Sequence, residues 1–287
     1  MILGNLKITT VSDGSFRLDG GTMFGIVPKV LWEKKAEPDA RNRINLGMHC
    51  LLIQDGKRNI LVETGTGSKL GPKETEIYAL ERTLNLEKSL GLAGLKPEQI
   101  DSVFVTHLHF DHVGGATKRD SSGKIIPTFP NAKYHMVRGA WDEAQNPPNF
   151  NKRSYMPENY LPLKEYDRIA WLEGSTDLTP EVRVEVSGGH TEFHCCVLLS
   201  AQGRRAIFFG DLIPTVAHLR GPYITAYDHY PLETLKRKEY WIAKAIQEKW
   251  VCIFYHDPNI SMAYLNRRKD GEIEVIPLPR AGTWPNV

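Results

Sequence analysis

Seven histidine and aspartate residues stand at or just after the ends of stretches that have the composition of buried β-strands. Four of them belong to the run His107-Leu108-His109-Phe110-Asp111-His112, which follows the apolar stretch 102–106. The other three, each after a further strand-like stretch, are His190, Asp211 and His256. Neutral imidazole and carboxylate are the usual protein ligands of zinc, iron and manganese. These residues therefore predict a site for two divalent metal ions at one rim of a sheet.

The spacing within the run 107–112 suits two neighbouring ions. Because side chains repeat every second residue in an extended strand end, His107 and His109 point the same way and can bind one ion together. Asp111 and His112 follow at once, and the pair Gly114-Gly115 predicts a tight turn into a new element. Asp111 and His112 can therefore reach a second, adjacent ion.

The elements that must position these ligands are mostly strands. Strand patterns lead into the ligands at 102–106, 182–186, 205–210 and 251–255, and further strand patterns occur at 6–11, 49–53, 59–62 and 133–137. A helix is predicted over 232–249, where Pro231 precedes it and Glu233 lies in its first turn. A second helix is predicted over 74–90. With 287 residues and 41% hydrophobic content, we expect one α/β domain spanning 1–287.

The segment from Thr106 to Gly115 resembles the signature of the metallo-β-lactamase superfamily. The later Gly189-His190-Thr191, Gly210-Asp211 and Tyr255-His256 stand in the order that this superfamily uses, so the resemblance covers roughly residues 5–260. It implies a four-layer αββα sandwich. By matching position, it assigns His107, His109 and His190 to metal one. It assigns Asp111, His112 and His256 to metal two, with Asp211 bridging both.

The resemblance extends to the N-acyl homoserine lactone lactonases, which are quorum-quenching enzymes, and to related phosphotriester-cleaving hydrolases. Three departures stand out: Glu63 replaces the commoner Asp before Thr64-Gly65, Glu192-Phe193 replaces Pro-Gly, and Pro214 stands where well-known lactonases place a tyrosine. His194 fits the family pattern. Zinc is the expected metal, with iron, manganese or cobalt as alternatives.

Two metals about 3.5–4 Å apart would generate a bridging hydroxide that attacks a lactone or ester carbonyl. We expect Asp111 to carry a proton to the leaving group and Asp211 to hold the ions at a fixed distance. The ligating rings need partners on their other nitrogens, and Asp101, Glu63 and backbone carbonyls are the candidates.

Substrate contacts are predicted in two irregular segments and one loop. The glycine-rich lip 20–29 offers Phe24, either as a flexible wall or as part of the core. The proline-rich insertion, residues 146–163, covers either the mouth of the site or a second subunit of a homodimer. From the segment 215–228, the candidates to replace the missing tyrosine are His218, Tyr223 and Tyr227.

Other functions remain open at this level. A thioesterase of the glyoxalase II type shares the first motif, although a strand pattern at 272–278 replaces its helical C-terminal part. A mono-iron sulfur dioxygenase would not need His112 as a ligand. A non-catalytic scaffold would be expected to have lost some of the seven ligands.

Charge and cysteine usage narrow the class of partner. The net charge is +2, from 36 basic and 34 acidic residues, which argues against a nucleic-acid partner and favours a small-molecule substrate. No apolar stretch is long enough to span a membrane. The four cysteines form no CxxC pair, and with no signal peptide evident we expect a cytoplasmic protein with reduced thiols.

Overall fold

The computed structural model describes residues 1–279, so the last eight residues of the expected 1–287 domain lie outside the described residues. The strands are β1 (Ile2–Leu3), β2 (Leu6–Asp19), β3 (Arg43–Gln54), β4 (Asn59–Val62), β5 (Ser102–Phe104), β6 (Thr117–Arg119), β7 (Ile125–Pro127), β8 (Lys133–Val137), β9 (Ile169–Leu172), β10 (Thr176–Thr179), β11 (Val182–Val186), β12 (Cys195–Ala201), β13 (Arg204–Phe208), β14 (Val251–Ile253), β15 (Met262–Arg267) and β16 (Ile273–Pro277). The helices are α1 (Gly20–Phe24), α2 (Lys29–Trp32), α3 (Pro72–Ile77), α4 (Leu86–Leu92), α5 (Phe110–Val113), α6 (Arg138–Gln145), α7 (Leu161–Glu165) and α8 (Pro231–Gln247).

The strands form two mixed seven-stranded sheets and a small ribbon of β6 and β7. The first sheet has the order β1-β2-β3-β4-β5-β8-β9, and the second runs from β10 to β16 in sequence order. Within the first sheet β4, β5, β8 and β9 are parallel, and in the second β13 and β14 are parallel. Parallel neighbours end at the same edge of a sheet, so the residues that follow them come together there.

Apolar side chains from both sheets form a shared core. Leu51 and Val103 from the first sheet and Val184 and Phe208 from the second belong to one buried cluster. Helix α4 packs against β2, α6 against β8 and α8 against β15, which places helices on the outside of the two sheets. The predicted αββα sandwich is therefore confirmed. Within residues 1–279, no helix combines the length and the apolar character needed to cross a bilayer.

The helix predicted over 74–90 is wrong, because the structure divides it into α3 and α4. Between them the chain turns to pair with β2: Ser15 and Glu81 exchange backbone hydrogen bonds of 2.9 and 2.8 Å. A Cβ at Gly14 would lie 2.0 Å from the Glu81 carbonyl oxygen, so this close approach requires glycine. Helix α4 then starts afresh at Asn85, whose side chain accepts a hydrogen bond from the Lys88 backbone.

The lip contributes to the core rather than forming a free wall. Asp19 caps α1 by accepting a hydrogen bond from the Thr22 backbone, and the short helix turns Phe24 inward. The Phe24 ring is fully buried between Trp32 and His218, at centroid distances of 5.3 and 4.7 Å. The exposed residues of the segment are Ile26, with 89% of its surface exposed, Pro28 and Lys29.

Candidate metal centre

His107, His109 and His190 form the first group of candidate ligands, here named the imidazole triad. The Nδ1 atom of His109 lies 2.9 Å from Nε2 of His107 and 3.2 Å from Nε2 of His190. All three side chains are buried. Three ring nitrogens that face one point have the arrangement of ligands around a single metal ion.

Asp111, His112 and His256 form the second group, here named the mixed triad. The Asp111 Oδ2 atom lies 3.5 Å from Nε2 of His256 and 3.8 Å from Nε2 of His112. This group combines two imidazoles with one carboxylate, which is a common ligand set for a catalytic divalent ion.

Asp211 lies between the two triads and offers one carboxylate oxygen to each. Its Oδ2 atom is 3.4 Å from Nε2 of His190 and 4.0 Å from Nε2 of His107. The Oδ1 atom is 3.3 Å from Nε2 of His112 and 3.2 Å from Nε2 of His256. The seven residues named from the sequence thus lie together, in the grouping that the resemblance implied.

Strand order explains this convergence. Strands β13 and β14 are parallel neighbours, so Asp211 and His256 leave the second sheet at the same edge. Strand β11 is antiparallel to β12, and β12 is antiparallel to β13, so β11 also ends at that edge and delivers His190. The run from His107 to His112 follows β5 of the first sheet, and Cys195 N donates to Thr106 O (3.0 Å) to join the two sheets here.

Two tight turns, one at Gly210 and one at Gly114-Gly115, bring the backbone near the ligands close to neighbouring residues. At Gly210 the φ angle is +53° and a Cβ would lie 2.8 Å from Nε2 of His194, so glycine lets the Asp211 backbone donate to that nitrogen at 3.0 Å. After α5, a Cβ at Gly114 or Gly115 would lie 2.3 or 2.1 Å from the carbonyl oxygens of Thr66 or Thr64, respectively. The predicted tight turn therefore depends on both glycines.

Each ring of the imidazole triad has a polar partner on its other nitrogen. His107 Nδ1 contacts the Thr106 hydroxyl at 3.0 Å, and His190 Nδ1 contacts Oδ1 of Asp228 at 2.7 Å. His109 Nε2 faces the side-chain amide of Asn151 at 3.3 Å. Asp228 and Asn151 were not predicted, because they come from loops that carry no periodic pattern.

The mixed triad is held by the sheets themselves. His112 Nδ1 lies 3.2 Å from Oε1 of Glu63, and His256 Nδ1 lies 2.8 Å from the Gly47 carbonyl oxygen. Tyr255 donates a hydrogen bond of 2.6 Å to the Asp111 carbonyl oxygen. Of the predicted partners, Glu63 and a backbone carbonyl contact ligands, whereas Asp101 instead accepts a hydrogen bond from the Asn59 backbone.

The electrostatics of the centre favour cations. Burial lowers the pKa of His107 and of His109 well below the usual value, so both rings are neutral, as metal ligands must be. Burial opposes charge on Asp211, but the neighbouring His112 and His256 hold the pKa of its carboxyl well below its usual range. Burial also opposes a charge on His112, yet Asp211, Glu63 and Asp111 raise its pKa well above normal.

The donor set fits a pair of divalent ions. Oδ1 of Asp211 and Nε2 of His112 are buried and form no hydrogen bond with any residue in 1–279. Unpaired buried polar atoms are costly, and a cation between these two atoms would satisfy both. The carboxylates of Asp211, Glu63 and Asp111 lie near His112, and their negative charge likewise favours a bound cation.

A cavity of about 80 Å³ lies beside the ligands. Five of the seven candidate ligands line it: His109, Asp111, His190, Asp211 and His256. Most of the other lining residues are apolar or aromatic: Leu18, Met23, Leu46, Tyr78, Phe110 and Tyr227. Tyr227 is the predicted substrate residue that lines this cavity, and Tyr78 is a second tyrosine that was not predicted. Burial raises the pKa of Tyr227 to about 12, so its hydroxyl stays protonated and can donate.

The other three predicted substrate residues do not line this cavity. Phe24 is fully buried in the core, and both nitrogens of its neighbour His218 are engaged, by Thr215 Oγ1 at 2.7 Å and by the Met23 carbonyl oxygen at 2.8 Å. Tyr223 instead lines a separate groove of about 770 Å³, where none of the seven ligands lies. The larger groove is therefore not the chemical site, because the reactive groups surround the smaller cavity.

Comparison with known proteins agrees with the fold. The model of the metallo-beta-lactamase superfamily matches residues 46–245. An N-acyl homoserine lactonase from Bacillus cereus is 27% identical over 177 residues, covering 56% of this chain and 61% of that protein. The present chain thus spans less than two thirds of that relative.

Two solved structures are similar over nearly the whole chain. A protein from Staphylococcus aureus, described as a probable metal-dependent hydrolase, has 32% identity and a TM-score of 0.89, covering 99% of this chain and 100% of that one. AidC, a dizinc quorum-quenching lactonase in complex with a product, has 21% identity and a TM-score of 0.78, covering 97% and 96%. The latter similarity concerns the fold alone.

The chain belongs to the metallo-β-lactamase superfamily. N-acyl homoserine lactonases and a probable metal-dependent hydrolase are among the proteins to which it is similar.

Proposed function

We propose that this protein is a dinuclear metal-dependent lactonase that opens N-acyl homoserine lactones. The observation that carries the proposal is the position of Asp211, whose two oxygens face the imidazole triad and the mixed triad separately. A bridging carboxylate between two complete ligand groups is what a two-ion hydrolase needs. The position of His112 weighs against a mono-iron dioxygenase, which would not need it as a ligand, because His112 faces both Asp111 and Asp211.

His107, His109 and His190 would hold one ion, and Asp111, His112 and His256 the other, with Asp211 shared. Two divalent ions, zinc in our proposal, would supply an acidified water and polarise the carbonyl oxygen of the substrate. Asp111 would move the proton, because its side chain lines the cavity and its backbone carbonyl accepts a hydrogen bond from Tyr255. It would take up the proton that the attacking water loses and deliver it to the alkoxide oxygen that leaves when the C–O bond of the ring breaks.

The cavity supports a substrate whose reacting end is compact. At about 80 Å³ it is much smaller than the roughly 300 Å³ of ordinary ligand pockets. It can therefore surround a lactone ring, while an acyl chain has to extend through the mouth. Pro214 stands where well-known lactonases place a tyrosine. The Tyr227 hydroxyl would replace that tyrosine by donating a hydrogen bond to a substrate oxygen.

The lactonase relatives support a lactone in preference to a thioester, and the chain would then act on a small molecule. We further propose that the chain functions as one domain in the reducing cytoplasm, where its four buried cysteines, Cys50, Cys195, Cys196 and Cys252, would stay free thiols. The homodimer stays a prediction, which the molar mass in solution would test.

The test is hydrolysis of a homoserine lactone series by the zinc-loaded protein, followed as proton release in weak buffer. We expect ring opening that is lost on chelation and restored by zinc. Negligible opening, with both ions bound, would reject the lactone. Parallel assays with a phosphotriester, an aryl ester and a glutathione thioester would then identify the reaction class, the phosphotriester activity being the second expectation from the resemblance.

A further inference from the structure

The proline-rich insertion contributes a polar side chain directly to the metal centre. Asn151 has only 6% of its surface exposed and places its amide 3.3 Å from Nε2 of His109. Tyr155, four residues later, packs the edge of its ring against His109 with centroids 4.7 Å apart. The insertion therefore contacts a candidate ligand of the imidazole triad, and its Ser154 lines the cavity beside the ligands.

A second pair of residues holds this amide from behind. Nε2 of His229 lies 2.5 Å from the Asn151 amide, and Nδ1 of His229 lies 2.9 Å from Oε1 of Glu143. Glu143 also accepts a hydrogen bond of 3.2 Å from the Tyr155 hydroxyl. The side chains of His229 and Glu143 are only 4% and 11% exposed, so this chain of contacts is shielded from water.

The position of His109 demands such a partner. Its Nδ1 atom is the one that faces the imidazole triad, so a metal bound there leaves the ring proton on Nε2. Nε2 then needs an acceptor in a buried place. Oδ1 of Asn151 is buried without a hydrogen-bond partner within residues 1–279, and a half turn of the amide presents it to that proton. In this orientation Oδ1 also accepts a hydrogen bond from Nε2 of His229, which donates from its other nitrogen to Glu143.

We propose that Asn151, supported by His229 and Glu143, is a positioning residue that fixes the tautomer and the ring orientation of His109. Asn151 thereby strengthens the binding of the ion at the imidazole triad. This inference rests on the metal centre of the proposed function and not on its substrate. A failure of lactone hydrolysis therefore does not contradict this inference. If the wild-type protein binds fewer than two ions, both the inference and the proposed function are rejected.

The test is the affinity for each of two zinc ions, measured by competition with a chromophoric chelator, in wild type and in Asn151→Leu. We expect the leucine variant to bind one ion about 10–100-fold more weakly and the other as in wild type. Asn151→Asp, which keeps an acceptor at the same place, should bind both ions at least as tightly as wild type. Asn149→Leu, the same change at an exposed position of the insertion, is the matched control.

Cobalt substitution gives an independent readout, since the visible spectrum reports the ligand geometry of the affected ion. Unchanged affinities and an unchanged cobalt spectrum in Asn151→Leu would overturn the proposal. Equal weakening of both ions would also overturn it, because a disturbed insertion and not one lost acceptor would be the cause. If Asn151→Leu does not fold, Glu143→Gln decides in the same assay: weaker binding of one ion supports the proposal, and two unchanged affinities reject it.

Discussion

The two triads of the metal centre are similar in size but differ in charge and in what holds them. The imidazole triad consists of three rings. Two of these, His109 and His190, make polar contacts with the loop residues Asn151 and Asp228, respectively. The mixed triad includes the Asp111 carboxylate. Its supports come from the sheets: Glu63 follows β4, and the Gly47 carbonyl lies within β3.

This difference separates the part of the centre that the fold guarantees from the part that loops can adjust. Hydrogen bonds to neighbouring strands fix Gly47 within β3 and Glu63 directly after β4, so these supports of the mixed triad are in place wherever the sandwich forms. Loops can change without disturbing the sheets, so the affinity of the imidazole triad can vary independently. We therefore expect changes in the two halves to have separable effects on the two ions.

Among changes that leave the bridging Asp211 in place, the largest effect is expected from Asp111→Asn, because Asp111 belongs to the mixed triad and also faces the cavity. Loss of its proton transfer should lower kcat by about 10²–10⁴-fold, most strongly for substrates with poor leaving groups. Rates across a series of aryl esters with graded leaving groups provide the measurement. An equal loss across the series would leave Asp111 with a ligand role only.

Next in size are Glu63→Gln and Asp228→Asn, which remove one carboxylate behind each triad. We expect each to weaken the ion of its own triad by about 10–100-fold and to spare the other. Titration of metal-depleted protein with cobalt would assign each loss, because the two ligand sets give different visible spectra. If both variants lost the same ion, the two halves would not be independent.

A smaller effect is expected from Tyr227→Phe, which removes a hydroxyl from the cavity wall without touching a ligand. A lost hydrogen bond to the substrate should lower kcat/KM about tenfold at unchanged metal content. Tyr78→Phe, at the other tyrosine of the same wall, is the control. A larger loss for Tyr78→Phe would transfer the proposed role to that residue.

The smallest effect concerns the support of the loop that carries Asp228. Lys238 on α8 donates to the carbonyl oxygens of Arg220, Gly221 and Tyr223 at 3.0, 3.3 and 2.6 Å. Burial lowers the pKa of Lys238 to about 8, against an ordinary value of about 10.4. The cost of burying its charge is therefore fully present below pH 8 and disappears as the pH rises from about 8 to 10.

Over that pH window the wild type should gain stability relative to Lys238→Met, on the order of 1 kcal/mol. Urea unfolding of both proteins at pH 7.5 to 10 measures the difference. Two curves that run parallel in pH would mean that Lys238 keeps an ordinary pKa and that the loop is held in another way.

The ligands could be predicted from sequence because each follows an apolar run that a sheet must bury, and His107, His109, Asp111 and His112 also match a family motif. Long-range pairing was harder to predict. Residues 74–90 have a helical composition, but the pairing of Glu81 with Ser15 of β2 divides them into two helices. Contacts of this kind depend on residues distant in sequence, which local propensity does not report.

The residues that contact the second nitrogens of the ligand rings also differ in how far the sequence predicts them. Glu63 was a candidate because it follows a strand, as the ligands do. Asn151 and Asp228 lie in irregular loops, and only the folded chain brings them to His109 and His190. The capped turn of α1 likewise buries Phe24, although its glycine-rich surroundings suggested an exposed lip just as strongly.

The central claim is that Asp211 joins two metal sites, and metal content tests it most directly. Purified wild type and Asp211→Asn, loaded with zinc and freed of excess metal, would be analysed by plasma mass spectrometry. We predict two zinc ions per chain in the wild type and one or fewer in the variant, with hydrolysis abolished. One ion in the wild type, or two in both proteins, would contradict the account.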